Sequence, residues 1–470
     1  FSVIRLSQFY GIELDDFAHE VAILSLWLTE HQMNLEFKTE FGEAIPSLPL
    51  KKGGNILCGN STRINWESVC PPSEEVYIIG NPPYLGFNTQ SPEHKNDIKY
   101  IFPDLKNHKY FDYIFCWFMS ASRYIKGKNK FAFVTTNSIC QGTQVSLLWP
   151  KVFNLGLEIF FAHEEFAWSN NAKNKAGVIC SIIGVRSICD SPKHIYTALY
   201  KTEVKNINAY LVDGGDVIVQ KSQLPISNIS KMSTGNVPYD GGNLILSTTE
   251  KDILIKDCPE AERYIVLNIG SSEFIKGTKR WCIWIEDNEI ENALQIKGLK
   301  QRINAVKEAR ENGGKIAKNY SHVPHRFYMT NRAKKSQIII PRVSSIRRKY
   351  IPIGYLDYKT IISDAAQAIY DPDPHIFSLL TSEMHMVWVR ALAGRLKSDY
   401  RYSAVMCYNT FPVPNLNEEI INRLIEAGMV ILASRENYPD RNMASLYDPD
   451  LMPSDLIEAH RENDKLVDSL

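Results

Sequence analysis

At 470 residues the chain is long for one domain, and 44% hydrophobic with 23% charged residues is the composition of an ordinary globular protein. No apolar run approaches the roughly 20 residues a membrane-spanning helix needs. The formal net charge is zero, but Lys297 to Lys349 holds 15 Lys/Arg against two acids, Glu308 and Glu311. Such a local block predicts a groove for a polyanion; a solvated surface helix is the competing reading for its Lys297–Lys318 part.

The start, Phe1-Ser2-Val3-Ile4-Arg5, has neither an initiator Met nor a signal-peptide layout and reads as a chain entered partway through. Nine dispersed cysteines without a C-x-x-C pair indicate a reducing, cytoplasmic setting and argue against a disulfide framework or a metal site. Over the first ~185 residues, short apolar runs alternate with amphipathic stretches, which predicts an α/β domain with a largely parallel sheet. The expected strands are Gln8–Leu14, Asn55–Gly59, Val76–Gly80, Lys130–Thr136, Leu157–His163 and Gly177–Val185. Helices are expected over Phe17–Met33, capped by Asp15 or Asp16, over Phe111–Ile125 and over Gly142–Phe153.

After about Ser187 the βαβ rhythm ends. Strand-like pieces at Ile195–Tyr200, Asn208–Val212, Asp216–Gln220 and Asn243–Ser247 precede a basic helix, Leu294–Asn312. Strands are then expected at Gln337–Val343 and Tyr350–Tyr355, a helix at His375–Leu396, and helices from Asn415 to the end. The resulting division is 1–187, 188–414 and 415–470.

The segment with chemistry is Asn81-Pro82-Pro83-Tyr84, directly after the apolar run Val76–Gly80. Two prolines cannot continue a strand or enter a helix interior, so they fix a rigid loop at a strand's C-terminal end. That edge is where ligands bind in open α/β sheets. The Asn81 side-chain oxygen and the Pro82 carbonyl can both accept from one exocyclic amino group, drawing its nitrogen toward the tetrahedral geometry of a methyl acceptor. Tyr84 offers a flat face for stacking a base. A Pro-Pro turn without chemistry is the competing reading.

An adenine paired in a duplex would have to be flipped out to reach this loop. Trp168, then Phe166, are candidates for the second wall, with a plain core role as the alternative. The segment Tyr10–Asp15 is an apolar strand ending in acid, and a carboxylate there can accept both hydroxyls of a ribose, although an acid after a strand is often only a helix cap. Asn60, past the second strand, could meet a cofactor's adenine ring.

The chain resembles the MmeI-like, type IIL restriction–modification enzymes, in which a gamma-class adenine methyltransferase is fused to a nuclease. The likeness is carried by Phe9–Asp15, His31-Gln32-Met33-Asn34, Gly80–Tyr84, Phe111-Asp112-Tyr113, Thr135–Gly142 and Trp168–Ala172. It continues at Met384–Arg390, Gly394-Arg395-Leu396, Asp399–Ser403 and Tyr408–Pro412. It implies a Rossmann-like class I methyltransferase domain, a mixed α+β target recognition domain and C-terminal helices. It further implies S-adenosylmethionine as cofactor, held by Glu13 and Asn60, double-stranded DNA as partner, and a nuclease upstream. Base reading falls to Lys397, Asp399 and Arg401, with Asp364 and Ala365 as partners. The Arg347-Arg348-Lys349 cluster is read as holding phosphates, which position without specifying.

The family's glycine-rich cofactor loop is missing from this sequence, so the chain alone is expected to bind cofactor poorly and to methylate nothing. Two alternatives remain at this stage. One is a methyltransferase acting on a protein glutamine amide; the other is a DNA-specificity module on a decayed methyltransferase scaffold.

Overall fold

The structure, a computed structural model, describes residues 4–42, 54–73, 75–105, 110–168, 178–396 and 398–470. It forms two compact units: residues 1–140 with 144–218, and 141–143 with 219–470.

In the first unit, β1 (Tyr10–Glu13) runs into α1 (Asp16–Phe41), capped by the Asp15 carboxylate on the Ala18 amide (2.8 Å). β2 (Asn55–Cys58) pairs in parallel with β1, Glu13 lying opposite Cys58. These two strands form a sheet of their own. A six-stranded sheet holds β3 (Tyr77–Gly80), β4 (Lys130–Thr136), β5 (Leu157–Ala167), β6 (Ile179–Ser187), β7 (Lys193–Tyr196) and β8 (Lys201–Val204), in the order β3-β4-β6-β5-β7-β8. β3 runs parallel to β4, whereas β6 is antiparallel to both its neighbours, so this sheet is mixed rather than largely parallel.

Helices α2 (Pro92–Ile101), α3 (Phe115–Tyr124) and α4 (Gly142–Phe153) accompany the sheet. Phe118 packs edge-on against Phe131, Phe133 and Trp149, and these rings are all buried. Edge-to-face contacts of this kind add to the area they remove from water. The expected helix from Phe111 begins only at Phe115, because the Asp112 carboxylate accepts the Leu85 and Ile114 amides in a turn. No residue of α1 is buried, and Val21, Leu24 and Leu28 stay exposed. Helical periodicity was thus a correct guide to the helix but not to burial of its apolar face.

Among its described residues the second unit holds three sheets. One has the order β10 (Ile245–Leu246), β12 (Trp281–Ile283), β11 (Ile265–Ile269), β16 (Ile361–Ile362); another runs β15 (Gly354–Asp357), β13 (Ser336–Pro341), β17 (Ala366–Tyr370), β9 (Ser233–Thr234). The third joins β14 (Val343–Ser344), β19 (Asp399–Arg401) and β18 (Gly394–Leu396). Its longer helices include α5 (Lys297–Glu311), α6 (Glu383–Leu392), α7 (Glu418–Glu436) and α8 (Ser454–Asp468).

Several expected elements differ. Asn208–Val212 is a turn, because the Asn208 side chain accepts the Tyr210 amide (2.9 Å) and Leu211 is left-handed at φ 60°. Asp216–Gln220 forms no strand. Pro352 has no N–H for a ladder, and the strand begins at Gly354. The helix expected over His375–Leu396 restarts at Ser382, whose hydroxyl caps α6 through the His385 amide, and gives way to β18. Among the described residues no helix is long and apolar enough to cross a membrane.

Candidate active site

β3 delivers its C-terminal end to Asn81-Pro82-Pro83-Tyr84. Asn81 and Pro83 are exposed, Pro82 is buried and Tyr84 is half-buried. The Asn81 carboxamide makes no hydrogen bond among the described residues, so its oxygen is available to a donor. The next residue anchors the loop: the Leu85 amide donates to Asp112 (3.0 Å), and its carbonyl accepts from the Tyr113 amide (3.1 Å) and the Gln90 side chain (2.7 Å). Gln90 also reaches the Phe111 carbonyl (2.8 Å). Burial pushes the Asp112 carboxyl up, and the backbone amides it accepts only partly offset this. Asp112 and Gln90 were given no role from sequence, since their action on the loop runs through contacts distant along the chain.

Burial also raises Tyr84, and its hydroxyl meets the thiol of Cys180 on β6. Cys180 lies opposite Phe166 of β5 on one side and Thr136 of β4 on the other. Tyr84 and Phe166 therefore converge on one β6 residue. Phe166 is half-buried and edge-on to His163 (5.3 Å). Trp168 is half-buried as well, its amide bonded to the Val178 carbonyl (2.9 Å). Ser169 to Ala172 lie outside the described residues.

Glu13 and Asn60 stand at the C-terminal ends of the paired strands β1 and β2, and the Gly59 amide donates to the Glu13 carbonyl (2.7 Å). One Glu13 oxygen accepts the Leu14 (2.9 Å) and Asp15 (3.4 Å) amides; the other has no partner among the described residues. A half-engaged carboxylate of this kind fits a diol. The Asn60 carboxamide is more committed than expected: its oxygen accepts from the Thr62 amide (2.9 Å) and hydroxyl (2.7 Å), and its nitrogen donates to Asp97 (3.1 Å).

In the second unit, β18 and β19 form a tight hairpin, Leu396 opposite Asp399. Lys397 lies outside the described residues. The strand's two-residue period puts Asp399 and Arg401 on one face and buried Tyr400 on the other. Arg395 lies over the Tyr400 ring (4.3 Å), and the Tyr402 hydroxyl bonds His385 (2.9 Å). Complete burial drives His385 down to about 3, so it is neutral. This packing stiffens the hairpin beneath Arg401, which is exposed and unpaired among the described residues. Arg342, which sequence reasoning missed, accepts the Tyr402 amide at its carbonyl (2.8 Å) and donates to the Asp364 carbonyl (3.0 Å). The Ala365 carbonyl accepts from Ser271 (2.5 Å).

Two members of the Arg347-Arg348-Lys349 cluster are already in ion pairs. Arg347 pairs with Asp450 (2.7 Å) and Lys349 with Glu383 (2.8 Å). Arg348 is half-buried against Ser344 (3.5 Å), and burial lowers it while the charges of Asp399 and Asp448 oppose that shift. A phosphate reaching these groups would have to displace carboxylates. Lys297, Lys300, Lys307, Lys315, Lys318, Lys334 and Lys335 form no ion pair among the described residues. They are the block's uncommitted cations.

A polar loop at the end of a strand of an α/β sheet, followed in sequence by a mixed unit with a local basic block, is the arrangement expected of a DNA methyltransferase. Three family models match: the MmeI DNA-methyltransferase domain over residues 1–197, the MmeI target recognition domain over 213–415 and the MmeI C-terminal domain over 417–470. The chain belongs to the MmeI family of type IIL restriction–modification enzymes. It is 44% identical over 471 residues to DNA methyltransferase A of Bacillus subtilis (strain 168), covering 99% of this chain and 54% of that protein. It superposes on the structure of the type IIL enzyme MmeI in complex with DNA with a TM-score of 0.91 at 40% identity, over 99% of this chain and 63% of that one. The chain thus spans about half the length of the curated relative it matches.

Proposed function

We propose that this chain carries the methyl-transfer and target-recognition parts of a DNA adenine-N6 methyltransferase that uses S-adenosylmethionine. The observation that carries the reading is the uncommitted Asn81 carboxamide at the end of β3, held on a proline-locked loop that Asp112, Tyr113 and Gln90 anchor. The Asn81 oxygen and the Pro82 carbonyl accept the two N–H bonds of one adenine amino group and orient its lone pair toward the donor. S-adenosylmethionine supplies the electrophilic methyl group when bound, and the half-engaged Glu13 carboxylate fits its ribose hydroxyls.

The amino group is enclosed in a duplex, so the adenine is flipped out at a cost of a few kcal/mol. Stacking on Tyr84 and on Phe166 or Trp168 offsets that cost by about 1–3 kcal/mol per base. Asp399 and Arg401, with Lys397, read base edges, and the uncommitted lysines of the basic block hold phosphates. The reading extends to a restriction–modification system, in which the methyl mark protects DNA from a nuclease.

The deciding experiment incubates the full-length protein with methyl-labelled cofactor and duplex DNA, then analyses hydrolysed DNA by mass spectrometry. Label in N6-methyladenine is the expected outcome; label in a protein glutamine, or none in DNA, rejects the reading. A separate expectation concerns Arg401→Ala. It should reduce discrimination at one base pair by about 1–3 kcal/mol and leave the salt dependence of DNA binding unchanged. A uniform loss across all sequences with a shallower salt slope would instead make Arg401 a phosphate contact.

A further inference from the structure

We propose that Asp97 is a positioning residue that ties the cofactor side of the site to the acceptor loop; this rests on the function proposed above. Asp97 is on α2 and is buried. Its Oδ2 accepts from the Asn60 side chain (3.1 Å) and from the Tyr113 hydroxyl (2.7 Å), and its Oδ1 from Arg63 Nε (2.7 Å). Tyr113 in turn donates its amide to the Leu85 carbonyl (3.1 Å), one residue beyond Tyr84. One carboxylate oxygen therefore joins the residue past β2 to the stem of the loop past β3.

The strand ladders do not do this work. β2 pairs with β1, and β3 pairs with β4 in a different sheet, so no backbone hydrogen bond between β2 and β3 sets the distance between Asn60 and Asn81. The Asn60–Asp97–Tyr113–Leu85 bridge supplies that registration through side chains. Methyl transfer needs donor and acceptor held to a fraction of an ångström, so a bridge between their two loops acts directly on the reacting distance.

The charge state suits the role. Burial alone would raise Asp97, but hydrogen bonds from Tyr113, Asn60 and Arg63, with the Arg63 charge, hold it below the usual carboxylate range. Only an ionised carboxylate accepts from all three donors. An asparagine of the same shape would turn its NH2 toward Arg63 or toward the Asn60–Tyr113 pair, setting donor against donor.

The test is Asp97→Asn, with cofactor affinity read by calorimetry, methyl transfer at saturating cofactor, and thermal melting. The cofactor Kd should rise on the order of tenfold. The transfer rate at saturation should fall on the order of tenfold or more. Asn60→Ala and Tyr113→Phe, whose side chains both meet Asp97 and are also linked through the Thr62 hydroxyl, should be non-additive in cofactor affinity with Asp97 present and closer to additive in its absence. Unchanged Kd and rate, or losses that follow the folded fraction alone, overturn the proposal.

Should Asp97→Asn fail to fold, Tyr113→Phe keeps the ring and deletes one donor; it should raise the cofactor Kd roughly threefold. No change in Kd there also overturns the proposal. A full-length wild-type protein that binds no cofactor at all fails at the earlier step and rejects the proposed function itself.

Discussion

Asn81→Ala is expected to lower methyl transfer to DNA on the order of 10²–10³-fold, the loss that follows when one preorganised polar partner of the reacting group is removed. The side chain is exposed and makes no hydrogen bond among the described residues, so its removal takes nothing from the fold. The loop stays anchored through Leu85, Asp112 and Gln90, and the Pro82 carbonyl remains as the second acceptor. DNA affinity, which the proposed function assigns to base-edge and phosphate contacts of the second unit, should change by no more than about twofold, as should the cofactor Kd. The measurements are single-turnover methylation together with equilibrium DNA binding. Methylation that persists within about tenfold of wild type would remove Asn81 from the chemistry. Asn81→Asp is the sharper companion: it keeps an acceptor but adds charge, and should fall between wild type and Ala.

The acceptor loop was legible in sequence because everything that defines it is local. An apolar strand, its end and two prolines occupy eight residues, and the structure puts that loop at the C-terminal end of β3. The positions of Glu13 and Asn60, at or just past a strand end, were legible for a related reason, and β1 and β2 do pair in parallel. What sequence could not show is what holds these residues. Asp112 anchors the Leu85 amide across 27 positions, and Asp97 reaches Asn60 across 37.

Which cations of the basic block are free was not legible for the same reason. Between Lys297 and Lys349 the count is strongly basic, yet the neutralising acids come from elsewhere in the chain. Glu250 meets Arg302, Asp287 meets Arg326, Glu286 meets Arg332, Glu383 meets Lys349 and Asp450 meets Arg347. A one-dimensional count cannot separate a free cation from a paired one. In the fold it is mostly the arginines that are spent and the lysines that remain.

Arg310 is the extreme case and yields the largest expected effect on stability. It sits near the end of α5, fully buried, and donates to five backbone carbonyls: Tyr239 (2.9 Å), Tyr320 (2.9 Å), Val323 (2.8 Å), Pro238 (2.9 Å) and Arg326 (2.6 Å). Burial lowers it, opposed by the charge of nearby Asp240, which itself accepts the Gly242, Leu244 and Ile245 amides. One guanidinium thereby staples the 238–239 segment and the 320–326 turn to the helix. Its five N–H groups in a fixed plane match that task, and a lysine has only three.

Arg310→Ala leaves those carbonyls unpaired and buried, at a cost of about 3–5 kcal/mol, a large part of the 5–15 kcal/mol that typically holds a domain together. Arg310→Lys should recover only part of the loss, and Arg310→Met little of it, because an apolar stem fills space without donating. Urea denaturation of the three variants checks the order Arg, Lys, Met, Ala. A cost below about 1 kcal/mol for Ala would mean that water enters and solvates the carbonyls, and that the arginine is not the staple described here.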